Sequence, residues 1–274
     1  MIRELPASLT KPWRSALIVA WAIVNGILIA YAFEAFLLRP DSGNDWGTWL
    51  AAATAVQDGT LYASSGVFVW SPIVAWLFVA ITPLGYWTWF AIHVGSVLLL
   101  RNRLLIVAVL TSGPFWIDTT SGNFFTFVAL AGGFAIRGSR VGGIAFLALT
   151  LLMPRPIQVP LAIWLVARNR ELWLPAAGLV SVSAVLVGLS GYAGEWLAML
   201  RSYGAAYPFP GWDLGPTRFL GSLWLIVGIP LATWLLWHGR VGWAGMAMSP
   251  YLIPQYPLAL LWEWANRRRR PRRA

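Results

Sequence analysis

The chain has no cysteine, a single lysine and two histidines, and only 11% of its 274 residues are charged. The missing cysteine excludes disulfide frameworks, thiolate nucleophiles and cysteine-ligated metals. No HExxH, P-loop or GxSxG element is present either. What the chain has instead is 58% hydrophobic residues, 19 tryptophans and a mean hydropathy of +0.66. This apolar share exceeds that of soluble domains, so the composition predicts an integral membrane protein.

Apolar runs follow one another along most of the chain. The first, 16–38, has about the 20 residues that a spanning helix needs, and Arg3, Lys11 and Arg14 precede it. We interpret it as a retained first helix whose N-terminus lies in the cytoplasm. The further runs are 68–84, 86–100, 104–117, 124–136, 142–153, 156–167, 172–189, 219–237, 241–252 and 257–265.

Several of these runs are shorter than a spanning helix and are interrupted by proline. Pro154 and Pro156 separate one pair of runs, and three more prolines lie within 250–257. Non-helical backbone at membrane depth requires a protein interior or a water-filled cavity to satisfy its polar groups. We therefore predict an all-α membrane bundle of about ten transmembrane helices, with short helices around an outward-facing cavity. An even number of crossings requires that one run within 68–117 does not span.

The charges are distributed unequally between the two predicted sides. Sixteen of the 20 basic residues fall in segments that we place in the cytoplasm, as the positive-inside pattern requires. Residues 1–266 are predicted to form one polytopic domain in the cell membrane, with outer loops at 39–67 and 190–218. The basic tail 267–274 is predicted to be cytoplasmic, like the N-terminus, and to contact anionic lipids rather than nucleic acid. The outer side receives six of the ten acids: Asp41, Asp45, Asp58, Asp118, Glu195 and Asp213.

Two carboxylates of the first outer loop, Asp41 and Asp45, are candidates for catalysis. Their spacing of four residues would place them on one helical face, where mutual repulsion raises one pKa and prepares a general base. The alternative is that both are solvated, with Asp45 capping a helix that begins at Trp46. Asp58 and Asp118 are predicted to lie in turns.

Six segments together carry a resemblance to a known family. The more specific ones are DWGTWLAA at 45–52, DGTLY at 58–62 and FVWSP at 68–72. The looser ones are SGN at 121–123, MPRP at 153–156 and SPY at 249–251. This pattern resembles glycosyltransferase family 87, in a short and divergent form. The members of that family are GT-C-type membrane glycosyltransferases, typically mannosyltransferases that use polyprenyl-phosphate-mannose.

The resemblance implies roles for particular residues. Asp45 matches the catalytic acidic residue by its spacing to Trp49, with Asp41 as the second candidate. The family has a lysine where this chain has Met153, a glutamine at Asn123 and a histidine near Gln255. Arg155 and Gln255 are therefore the candidates for holding the lipid phosphate, since arginine forms bidentate bonds to phosphate. Further candidates for substrate binding are Asn123 and Arg218, with Tyr62, Trp70, Tyr207 and Trp212 as surfaces for sugar stacking.

The expected activity is transfer of a hexose, most simply mannose, from a polyprenyl-phosphate-linked donor to a glycan or glycolipid acceptor at the outer face. Asp45 would act as the general base, and no cofactor or metal ligand is assigned. Two other functions remain open. The unmatched histidine position and the short length compared with the family are compatible with a non-catalytic membrane assembly partner. A transporter or flippase of lipid-linked substrates would need polar groups inside its spans, and Glu34 and His93 are the candidates.

Overall fold

The computed structural model describes residues 11–38, 45–64, 68–205, 215, 220–250 and 253–269. Within these ranges the chain forms helices and no strand, which confirms the all-α prediction. Two candidate site residues, Asp41 and Arg218, lie outside the described residues, as do Tyr207 and Trp212.

Proline and capping side chains mark where several helices begin. Pro72 and Pro114 occupy first turns, where the missing N–H of proline costs nothing. The Asn102 side chain accepts a hydrogen bond from the Leu105 N–H at 3.1 Å. The first helices are α1 (Lys11–Ala32), α2 (Asp45–Gln57), α3 (Leu61–Ser64), α4 (Pro72–Ile81), α5 (Tyr86–Val97), α6 (Arg103–Leu110) and α7 (Gly113–Ser121). The later ones are α8 (Phe125–Ile136), α9 (Arg140–Leu152), α10 (Val159–Arg168), α11 (Trp173–Leu189), α12 (Ala193–Ala205), α13 (Trp224–Trp237), α14 (Val241–Met248) and α15 (Leu260–Arg269).

Two helical segments of the described chain are long and apolar enough to cross a membrane. Ser15–Leu37 has 23 residues and continues α1 through a π-helical turn, and Arg170–Leu189 has 20 residues and contains α11. Only 11% and 6% of their apolar windows are buried inside the protein. Both helices therefore present apolar surface outward, which suits contact with lipid.

Two further candidate spans are sharply bent. Pro72–Leu84 meets Tyr86–Leu100 at 101°, and Arg103–Leu110 meets Gly113–Ser121 at 66°. If each bent pair counts as one span, the described residues contain up to four, fewer than the ten crossings predicted. Both bends fall within 68–117, the stretch in which one run was not expected to span. The shorter apolar helices are Phe125–Ile136, Arg140–Leu152, Pro156–Arg168 and Trp224–Trp237.

Helix α8 lies at the centre of the core, and most of its residues are buried. A Cβ atom at Gly132 would collide with the Trp262 indole and with Leu161, so the glycine permits close approach of α15 and α10. The Trp262 indole N–H donates to the Ala129 carbonyl at 3.0 Å, which fixes α15 against α8. The two ends of α8, about 18 Å apart, carry different chemistry.

The C-terminal end of α8 meets loops that are rich in arginine. The Arg137 guanidinium lies 5.7 Å from the ring centroid of Trp264 on α15. Arg240 and Arg267 both pair with Glu263, at 3.0 and 3.4 Å. The structure thus gathers at one end arginines from segments that the sequence places on one side of the membrane.

Candidate functional site

The turn after α7 lies at the other end of α8 and is held by side chains of α2 and α5. The indole N–H groups of Trp49 and Trp89 both donate to the Gly122 carbonyl, at 3.0 and 3.2 Å. The Tyr86 hydroxyl donates to the Thr120 carbonyl at 2.8 Å. The last carbonyls of a helix have no partner within it, so these three side chains satisfy groups that would otherwise be unpaired and buried.

Gly122 itself is required by the geometry of this turn. Its φ is +77°, and a Cβ there would lie 2.9 Å from the Trp46 Cβ. Only glycine adopts this conformation readily and leaves room for Trp46. The Asn123 that follows is therefore presented in a defined orientation.

His93 supports the same turn from α5 and is fully buried. Its Nε2 lies 2.6 Å from the Asn123 carbonyl oxygen, and its Nδ1 lies 3.1 Å from the Trp89 carbonyl oxygen. We place the proton of the neutral ring on Nε2, because that contact is the shorter. The sequence identified His93 only as a polar group for the transporter alternative. Its position four residues after Trp89 was the signal that both side chains share one face of α5.

Three predicted site residues from distant parts of the chain meet at Asn123. The Asn123 Nδ2 donates to Asp45 Oδ2 at 2.7 Å, and the Arg155 Nη2 donates to Asn123 Oδ1 at 2.8 Å. Asn123 and Arg155 are each only 3% exposed, whereas Asp45 is half-buried at the start of α2. We call Asp45, Asn123 and Arg155 the polar triad. It places a carboxylate and a guanidinium at opposite ends of one amide.

The environment of Asp45 suits proton transfer. Burial raises the pKa of its carboxyl above the ordinary value. The charge of Arg155 and the hydrogen bonds from Asn123 and Ser121 oppose that rise, because they favour the ionised form. A carboxyl whose pKa is raised while it stays hydrogen-bonded and accessible is a stronger base than a solvated one.

Asp118 is a second, fully buried carboxylate, and its predicted turn position is wrong. It lies inside α7, and its Oδ1 and Oδ2 accept the backbone N–H groups of Phe125 and Thr126 at 3.1 and 2.6 Å. The carboxylate therefore caps the N-terminus of α8, where the helix dipole favours negative charge. Sequence reasoning missed this role because the capping residue belongs to the preceding helix and not to the position just before α8.

Arg155 is held in place by an aromatic ring and by its own backbone. Its guanidinium lies 4.8 Å from the ring centroid of Trp70 and 5.8 Å from that of Phe125. Its backbone N–H donates to Gln158 Oε1 at 3.1 Å, at the start of the turn that leads into α10. Trp70 thus lies against the polar triad, and Arg155 covers one face of its ring.

Tyr62 does not offer a free face for a sugar. Its side chain is 9% exposed, and its ring packs 6.0 Å from Phe68 and 5.9 Å from Tyr192. Its hydroxyl donates to the Trp70 carbonyl at 2.7 Å, and burial holds its pKa above the usual value. The stacking role predicted for Tyr62 is therefore replaced by a supporting one, in which a neutral phenol fixes Trp70.

Gln255 is buried but is not joined to the polar triad. It is 6% exposed and precedes the turn Tyr256–Ala259, where the Tyr256 ring lies 5.0 Å from that of Phe125. Within the described residues, no hydrogen bond links the Gln255 side chain to Asn123 or Arg155. No group of three histidine or acidic residues in the described part of the chain could hold a metal ion.

Comparison of the chain with protein-family models, with curated proteins and with solved structures gave no match. The candidate site therefore rests on the geometry of the polar triad and on the motifs that contain its members.

Proposed function

We propose that this chain is a membrane glycosyltransferase that moves a hexose, most simply mannose, from a polyprenyl-phosphate-linked donor to a glycan or glycolipid acceptor. The observation that carries the proposal is the polar triad. Transfer from a sugar phosphate needs a base for the acceptor hydroxyl and a cation for the departing phosphate, and the triad supplies one of each. The resemblance of 45–72 to glycosyltransferase family 87 supports the same activity.

The proposed reaction is a single displacement at the anomeric carbon. The acceptor hydroxyl oxygen forms a bond to that carbon while the bond from the carbon to the phosphate oxygen breaks. The electron pair leaves with the lipid phosphate, and the hydroxyl proton passes to the Asp45 carboxylate. Arg155 stabilises the charge that develops on the phosphate. The anomeric configuration inverts.

The neighbours of Asp45 and Arg155 serve as positioning residues in this proposal. Asn123 fixes the separation and orientation of the carboxylate and the guanidinium, because it bonds to both. Trp70 holds the guanidinium plane, and an arginine so restrained loses less freedom when it binds a phosphate. Preorganised groups of this kind contribute more to catalysis than mobile ones.

The proposal includes a position for the site relative to the membrane. We place the polar triad at the outer face and both termini in the cytoplasm of a cell-membrane protein. The short helices around the triad would enter the bilayer, giving a GT-C-like bundle of about ten crossings with a cavity open to the lipid-linked donor. Two to four helices have the length and composition for a full span among the described residues.

The positions of Glu34 and His93, the two polar groups named for a transporter, support transport less well than the polar triad supports glycosyl transfer. Glu34 is exposed at the end of the first candidate span. The His93 Nε2–H donates to the Asn123 carbonyl oxygen, and Nδ1 lies beside the Trp89 carbonyl oxygen, so this side chain is committed to the turn at Asn123. If the chain is instead a non-catalytic assembly partner, the isolated chain should leave the polyprenyl-phosphate-linked sugar donor intact.

The direct test uses the full chain, purified in lipid nanodiscs, with radiolabelled polyprenyl-phosphate-mannose and an acceptor membrane extract. We expect release of polyprenyl phosphate together with label in acceptor glycolipid or glycan. A matched reaction with GDP-mannose should give no transfer, because the proposed donor is lipid-linked. Intact lipid donor after incubation with well-folded protein, for every polyprenyl-phosphate hexose tried, would overturn the proposal.

The pH dependence of transfer tests the role of Asn123. Asp45 must be ionised to accept a proton, so activity falls as the pH decreases through its pKa. Asn123→Ala removes a hydrogen bond that favours the ionised form, so the pKa rises further and the acidic limb should move to higher pH. Asn169→Ala removes a comparable amide far from the site and should leave the limb unmoved. If the acidic limb of the pH–activity profile of Asn123→Ala stayed in place or moved to lower pH, the role assigned to Asn123 would be contradicted.

A further inference from the structure

A separate pocket of about 560 Å³ lies at the C-terminal end of α8, about the length of that helix from the polar triad. Arg101 and Arg137 line it together with Asn102, Ser139 and Trp264. Both arginines are exposed, and within the described residues neither forms an ion pair. No acidic residue lines the pocket. Its charge therefore favours an anion.

The polar groups of the pocket are arranged as hydrogen-bond donors. The Asn102 and Ser139 side chains use their oxygens to accept backbone N–H groups, from Leu105 at 3.1 Å and from Gly142 at 3.0 Å. The Asn102 amide N–H groups and the Ser139 hydroxyl proton have no acceptor among the described residues. The same two caps bring the N-termini of α6 and α9 to the pocket, and helix N-termini also favour anions.

Two features hold the arginines at this place. Arg101 has φ +53°, the only positive φ of a non-glycine residue in the described chain, and this left-handed residue ends the short helix Leu98–Leu100 at the pocket. The Arg137 guanidinium lies over the Trp264 ring. An indole next to a cation at the edge of an apolar surface is the arrangement found where proteins meet lipid headgroups.

The surroundings of the pocket are apolar in a way that suits a lipid. A shallow apolar depression of about 10 Å³ shares Arg137 and Trp264 with the pocket and lies among Leu130, Gly133 and Leu261. It is too small to enclose an acyl chain, so a chain would lie over it. A Cβ at Gly133 would meet no atom within 4 Å, so the apolar surface is unobstructed at that point.

From these features we propose that the pocket binds the phosphate headgroup of an anionic membrane lipid, with one acyl chain lying over the open apolar surface at Gly133. Cationic pockets between helices are typical sites for such headgroups. A free phosphate would use the arginines but would not contact the apolar surface around Gly133. This site is independent of the proposed transfer reaction and distinct from the basic tail.

The test measures lipid binding to the full chain in detergent, by native mass spectrometry and by the thermal unfolding midpoint. The probes are phosphatidylglycerol, phosphatidylcholine and glycerol 3-phosphate. We expect phosphatidylglycerol to bind and stabilise the wild type, and the other two to have little effect. Arg101→Gln with Arg137→Gln should weaken phosphatidylglycerol binding about 30-fold, roughly fivefold for each arginine. Gly133→Leu should also weaken binding, because it adds bulk to the surface over which the acyl chain lies while leaving both arginines in place.

The matched control is Arg168→Gln with Arg170→Gln. These arginines are also exposed and also lie over tryptophan rings, at 4.9 and 6.0 Å, but outside the pocket. Because both double variants keep the tail 267–274, any binding by the tail is the same in each. Equal losses in the two double variants, equal stabilisation by glycerol 3-phosphate, or no preference of the wild type for phosphatidylglycerol would each overturn the proposal.

Discussion

Replacing Asp45 by asparagine should lower the rate of sugar transfer about 100- to 10,000-fold, the usual contribution of a general base. The substitution removes the proton acceptor but keeps an oxygen that can accept the hydrogen bond from Asn123. The polar triad should therefore keep its geometry while losing the group that takes the proton. The measurement is the initial rate of label transfer from polyprenyl-phosphate-mannose in nanodiscs, with donor binding followed separately.

The control for this variant is Asp58→Asn, which removes a carboxylate of the same predicted outer loop. Asp58 is exposed in the turn after α2, and its change should leave the rate within about twofold of the wild type, as expected for a surface substitution. Full activity of Asp45→Asn would refute the assignment of Asp45 as the base. It would not by itself refute transfer activity, which the wild-type assay tests.

Replacing Asp118 by alanine should destabilise the fold by about 2–4 kcal/mol. Two backbone N–H groups at the start of α8 lose their acceptor in a fully buried position, and each unsatisfied group costs about 1–3 kcal/mol. Since α8 is the central helix, the loss should appear as a lower midpoint of cooperative unfolding in detergent. The many tryptophans provide the fluorescence signal.

Two variants separate this effect from that of an ordinary helix cap. Asp118→Asn keeps one acceptor oxygen and should lose less stability than Asp118→Ala. Ser139→Ala removes the exposed cap of α9 and should cost about 1 kcal/mol. If Asp118→Ala were no more destabilising than Ser139→Ala, the carboxylate would not be the main cap of α8.

The local features of the chain were predictable from its sequence. The apolar composition determined the helical, membrane-compatible character, because helices are the structures that can present apolar side chains while satisfying their own backbone groups. Proline at first turns and the cap at Asn102 marked helix starts. Asp45 and Arg155 were named because they sit in motifs that resemble a family, not because their spacing required them to meet.

The number of spanning helices was less predictable for a physical reason. A run of apolar residues has the same sequence pattern whether its helix faces lipid or packs inside the protein. Helix α8 illustrates the difficulty, since its 12 apolar and small residues are mostly buried against α9 and α15. The bends of 101° and 66° likewise depend on packing and cannot be read from hydropathy.

What the sequence determined by itself is the helical class, the apolar segments and the scarcity of charge. What only the tertiary structure decided is how the few charges are used. Asp45 and Asn123 are 78 residues apart in the sequence, and Asn123 and Arg155 are 32 apart. Nevertheless, hydrogen bonds connect the three side chains in series. Asp118 became a cap and His93 a support for the turn at Asn123. Such pairings arise because a buried polar group must find a partner wherever packing brings one, irrespective of sequence distance.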